Sequence, residues 1–197
     1  MLAEELKEFQ RIFNKSNYYE SQIISDGIVL WLKRPTPSNL SNIFKDIGEK
    51  QLEFTLKTEK FIRGGISFGS KLESDASKGG NFISNGLARA VKIESSHVSW
   101  PIVGTTEKEL TLIRGLYTGI PDSEHFELLH SFNVSGKDVF FIDFLQESEK
   151  ILTLINQNIE ALSDRQSVRA KYIWLLKYYI KKFGPQKNST LFESAIL

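Results

Sequence analysis

Asn85, Arg89 and Lys92 recur at i, i+4 and i+7 within GGNFISNGLARAVKIESSHVSW, Gly79 to Trp100. On a helix that spacing sets an amide and two cations on one face, groups that hydrogen-bond and balance negative charge. Ile83, Leu87, Ala90, Val91 and Glu94 fall on a second, packing face, which predicts a helix over Phe82 to Ser96. Arg63 precedes Gly64-Gly65 in FIRGGISFG, where by itself it reads as a surface arginine. Gln22 and Asp26 lie in SQIISDGIV; the glutamine amide both donates and accepts, and the Asp26-Gly27 pair is a hairpin turn in its own right.

The elements that must hold these residues follow from periodicity. Phe61 to Gly69 alternates apolar and small residues and reads as a central strand, its Gly64-Gly65 pair open to the close approach of another backbone or a ligand. Tyr18 to Lys33 reads as an antiparallel hairpin beside that strand, turning at Ser25-Asp26-Gly27, with the Phe82 to Ser96 helix packed across the sheet. Leu2 to Phe13 is an amphipathic helix, and Ser38 is placed to cap a helix running from Leu40 to Leu56. Val98 to Val103 resumes as a strand that Pro101 confines to an edge or a strand start. Glu107 to Ile120 carries mixed signals before a turn at Pro121-Asp122. Phe126 to Leu129 and Val139 to Leu145 form short segments around the Asn133 to Lys137 turn. Two helices follow, over Glu147 to Leu162 and Ser167 to Phe183. The second interleaves Tyr172, Trp174, Tyr178 and Tyr179 with lysines, a pattern of an aromatic packing side with snorkelling lysine stems more than of nucleic-acid stacking. Residues 1–184 form one domain and 185–197 a tail.

Composition narrows the classes. At 197 residues the chain fits one domain, and 25 basic against 24 acidic residues leave a net charge of +1, so no nucleic acid or anionic membrane is indicated. The absence of cysteine excludes disulfides and thiolate metal sites, and the scattered His97, His125 and His130 do not make a multi-histidine site. Neither a signal peptide nor a long apolar run is present, which predicts a soluble, cytoplasmic protein.

In four blocks taken in order, the chain resembles the class III nucleotidyl cyclases, and in particular the short bacterial Pycsar-type pyrimidine cyclases of phage defence. The blocks are IISDGIVLW (Ile23 to Trp31), FIRGGISFG (Phe61 to Gly69), GNFISNGLARAVKIES (Gly80 to Ser95) with its trailing WPIV, and VRAKYIWLLKYY (Val168 to Tyr179). The resemblance implies an α/β (α+β) fold with a ferredoxin-like, cyclase-type sheet, packed helices and a helical C-terminal part. It implies conversion of a nucleoside triphosphate to a 3′,5′-cyclic nucleotide with Mg²⁺ or Mn²⁺, and a homodimer. Asp26 then matches the second metal-binding aspartate, Gln22 the base-reading position, and Asn85 and Arg89 the Asn-x-x-x-Arg pair that contacts the ribose and the phosphate charge. Counting back from Glu94-Ser95 instead sets Ala88 and Lys92 in those two roles. Arg63 and Lys92 complete the substrate-binding set. Gln22 fits neither purine pattern, which leaves a pyrimidine open. The family's first strand, with the first metal aspartate, has no counterpart ahead of the hairpin, because a helix stands there and no Asp precedes Asp26. That strand would lie between the hairpin and the Gly64-Gly65 strand. A non-catalytic nucleotide-binding or protein-interaction member of the family is the alternative.

Overall fold

In the computed structural model the described residues are 2–24, 27–33, 36–69, 71–72, 83–116, 129–134 and 137–184. They form a mixed α/β arrangement built on a four-stranded sheet. Its strands are β3 (Gly64–Gly65), β6 (Val103–Thr106), β7 (Leu129–Val134) and β8 (Lys137–Ile142), in the order β3-β6-β8-β7. β3 runs parallel to β6 through Gly64↔Val103, while β8 is antiparallel to both β6 and β7. Two small antiparallel pairs stand apart. One joins β1 (Tyr19–Ile24) to β2 (Gly27–Leu32), and the other joins β4 (Lys71–Leu72) to β5 (Ile83–Ser84).

The two-residue period of β8 sorts its side chains into two cores. Val139 and Phe141 join a cluster with Ile151, Ile155 and Ile159 of α5 (Glu149–Ala161) and Leu175, Leu176 and Tyr179 of α6 (Gln166–Phe183). Phe140 and Ile142 face the other way, onto a cluster of Ile12 and Phe13 from α1 (Leu2–Phe13), Ile43, Phe44 and Ile47 from α2 (Pro37–Thr58), and Leu110 and Ile113 from α4 (Glu107–Leu116). The alternate hairpin residues Tyr19, Leu30 and Leu32 pack into this second cluster, as do Ile62 and Ile66 on either side of β3. A two-stranded hairpin is marginal alone, so this face is what holds it. The Tyr19 hydroxyl also donates to Asp46 Oδ2 at 2.7 Å.

Several sequence expectations need correction. The hairpin is not hydrogen-bonded to the Gly64-Gly65 strand; it forms its own two-stranded sheet and shares the second core cluster with Ile62 and Ile66, the residues flanking β3. The central strand is shorter than Phe61 to Gly69, because its ladder to β6 extends no further than the Gly64 N–H to Ile102 O and Ile66 N–H to Gly104 O bonds, at 3.0 and 2.7 Å. The following strand begins at Val103, after Pro101 rather than across it, since proline has no N–H to give the ladder. Thr36, not Ser38, caps α2: its N–H donates to Asn39 Oδ1 at 2.7 Å and Pro37 takes the first helical position. The mixed stretch after Thr106 folds as α4. The helix expected from Phe82 starts at Asn85 as α3 (Asn85–Ser96), with Ile83 and Ser84 in β5. Residues 185–197 and the turn expected at Pro121-Asp122 lie outside the described residues.

Asp143, at the end of β8, ties the sheet to α6. Its carboxylate pairs with Lys182 and with His130 Nε2 at 3.2 Å, and accepts from Leu145 N–H at 3.2 Å. Burial pushes its pKa up, but the His130 and Lys182 contacts outweigh that and hold it below the ordinary value. A depressed carboxylate contributes stability above its unfolded pKa, about 3.9, and loses it as pH falls through the lower folded value. Asp143→Asn is therefore expected to cost about 1.5–3 kcal/mol at pH 6, where the charged hydrogen bonds are intact. Below pH 3 the penalty should shrink, as urea titrations of both forms at the two pH values will show.

Candidate functional site

α3 lies on β3 and β6, and its seating on the strand is set by a match of two periods. Arg63, Gly65 and Ser67 face Glu94, Ala90 and Gly86 in turn: an ion pair, a backbone-to-backbone approach, and a hydrogen bond from Ser67 Oγ to Gly86 O. Two strand residues advance about 6.6 Å and four helical residues about 6 Å, so every second strand position meets every fourth helix position. The middle pair needs glycine. A Cβ on Gly65 would overlap the Ala90 carbonyl oxygen and stand 3.0 Å from Glu94 N. Further along, Gly69 comes so close to Gly86 and the Asn85 side chain that a Cβ there would overlap both.

This seating places the helix face carrying the polar residues. Ser84 caps α3, its Oγ accepting from Leu87 N–H at 3.2 Å, and exposed Asn85 is the first helical residue. Arg89 follows one turn on, with its side chain 38% exposed, and Lys92 is exposed beyond it. Arg89 Nε stands 2.9 Å from Oε1 of Glu109, in the first turn of α4. This is a charge contact rather than a hydrogen bond, because Nε has no aligned acceptor. The other Glu109 oxygen accepts from Phe68 N–H at 3.2 Å. The segment after β3, α3 and α4 thus converge on one buried carboxylate, 4% exposed.

Of the residues singled out in the sequence, Asn85, Arg89 and Lys92 do share α3. Arg63 is brought to the same helix but is paired with Glu94. Gln22 lies on β1 opposite Val29, on the hairpin face opposite the one that carries Tyr19. Asp26, the expected metal ligand, lies outside the described residues, as does His125. Among the described residues no group of three or more His, Asp or Glu is placed to hold a metal ion. Asn85, Arg89 and Lys92 offer this face an amide and cations, groups that hydrogen-bond and balance negative charge. No helix among the described residues is long and apolar enough to cross a membrane.

Sequence reasoning missed Glu109. The signal was present, since Thr106-Glu107-Lys108-Glu109 has the spacing of a helix N-terminal capping box, which would have placed a helix start there. That spacing marks the element but not the inward turn of the carboxylate. No protein-family model matches the chain, nor does any curated protein or solved structure.

Proposed function

We propose that this chain is a nucleotide-binding domain of the class III cyclase type, taking a nucleoside triphosphate, with a pyrimidine base open to it, together with Mg²⁺ or Mn²⁺. The observation that carries this reading is the α3 face, where Asn85 and Arg89 stand one turn apart on a helix seated against the Gly64-Gly65 strand. The order of the four sequence blocks supports it. In the proposed arrangement Asn85 hydrogen-bonds the sugar, Arg89 balances phosphate charge, and Lys92 and Arg63 add positive potential, Arg63 less so because Glu94 partly neutralises it. Asp26 holds the cation, Gln22 addresses the base, and a homodimer is the proposed assembly.

Turnover in this chain is proposed to be poor. Two cations aligning an in-line attack need more than one protein carboxylate, and the resemblance supplies Asp26 alone. The non-catalytic alternative gains a specific point from Arg89, whose charge is already partly answered by Glu109. A chromatographic assay for the four 3′,5′-cyclic nucleotides, run with Mn²⁺ and each nucleoside triphosphate, is expected to find little or no product. Robust product abolished by Asp26→Ala would show that one carboxylate suffices and would overturn the claim of poor turnover.

A further inference from the structure

Glu109 is placed in the sequence as a surface cap and in the structure as a buried hub. Half of the capping box is formed, with Thr106 Oγ1 accepting from Glu109 N–H at 3.4 Å. The carboxylate, however, is turned inward to Phe68 N–H and Arg89 Nε. A cap works from the surface without giving up hydration, whereas a carboxylate taken out of water loses hydration that only well-placed partners restore. What the inward turn gains is geometric. The contact engages Nε, which is itself shielded from solvent, and lies at the inner end of a side chain still 38% exposed. The two Nη nitrogens, the fork that clasps a phosphate in bidentate fashion, form the outer end of the same planar group. Nε stands within reach of Oε1 but off-line, as hydrogen bonds of ligand-free sites often do before a ligand tightens them.

We propose that Glu109 is a positioning residue for Arg89, holding the guanidinium by Nε so that its Nη edge meets a phosphate of the bound nucleoside triphosphate. The proposal rests on the nucleotide-binding reading above. It also makes Phe68, in the segment that lies along α3, a reporter of the same carboxylate, since its N–H and the arginine share it.

The test is nitrogen-15 NMR of the full chain, following the Arg89 Nε–Hε signal, assigned by its loss in Arg89→Lys. Spectra are recorded free and with ATP, GTP, CTP or UTP plus Mg²⁺, alongside equilibrium titrations. In the wild type the signal is expected to stand apart from those of exposed arginines, to exchange slowly with water, and to move downfield on adding triphosphate. Glu109→Gln keeps the shape and an acceptor for Phe68 N–H. It should bring the signal to the averaged position and raise the triphosphate Kd about ten-fold, yet change Kd less than about two-fold in the Arg89→Lys background. A purely structural role would weaken binding equally in both backgrounds and would overturn the proposal. Should Glu109→Gln fail to fold, the wild-type signal decides, and an averaged, fast-exchanging Arg89 overturns the proposal without any ligand. A held signal with no triphosphate bound by any form overturns the nucleotide reading, and this proposal with it. Binding indifferent to both substitutions overturns this proposal alone.

Discussion

Gly65→Ala is expected to destabilise the chain by about 3 kcal/mol and to lower its melting temperature by about 6–12 °C. The added methyl would meet backbone, the Ala90 carbonyl and Glu94 N, not the yielding end of a side chain. α3 cannot easily lift away, because the flanking contacts, Arg63 to Glu94 and Ser67 to Gly86, hold it to the strand on both sides of the clash. Relief would have to come from moving the helix that carries Asn85 and Arg89, so the same variant should weaken ligand binding at that face. Gly115→Ala is the control: among the described residues nothing lies within 4 Å of a Cβ there, and alanine in a helix gains about 0.5–1 kcal/mol over glycine. A Gly65→Ala penalty below about 1 kcal/mol would mean that strand and helix are not in this close register.

Phe141→Ala is expected to cost about 3–5 kcal/mol, a large part of the 5–15 kcal/mol by which domains of ordinary size are stable. Phe141 is 1% exposed on β8, the strand between β6 and β7. Its ring meets Trp174 and Tyr178 of α6 edge to face at centroid distances of 5.9 and 5.1 Å, and lies 5.8 Å from His130. Removing it opens a cavity where sheet and helix join, among rings too stiff to close it. Urea unfolding should show a lower midpoint at unchanged slope. Phe141→Leu, which keeps most of the volume, should lose less than half as much. A small effect from Phe141→Ala would place the sheet-to-α6 interface elsewhere.

Those two positions also mark what was legible in the sequence. The helices α1 and α6 and the hairpin strands are local patterns, and their bounds follow closely from spacing and from the Asp-Gly turn. Gly64-Gly65 was legible as a place of close approach, although which element approaches is decided by α3, twenty and more residues away. The strand through it is short because its backbone bonds to β6 end at Ile66, and alternation alone carries no information on a partner's length. The start of α4 was legible in the Thr106 to Glu109 spacing, but the inward turn of Glu109 was not, because a surface pattern leaves that carboxylate outward and Phe68 and Arg89 meet it inside. The site was half legible for the same reason. Asn85, Arg89 and Lys92 belong to one helix and share a local period, whereas the acids that answer Arg63 and Arg89 come from packing.

The central claim is that the α3 face binds a nucleoside triphosphate, and equilibrium titration of the 197-residue chain with each of the four triphosphates and Mn²⁺ tests it most directly. The account predicts weak, saturable binding, in the range of about 0.1–1 mM, weakened about ten-fold or more by Arg89→Met and reduced by Asn85→Ala, with circular dichroism showing both variants folded. Absence of binding to every triphosphate, or binding that survives both substitutions unchanged, would contradict it.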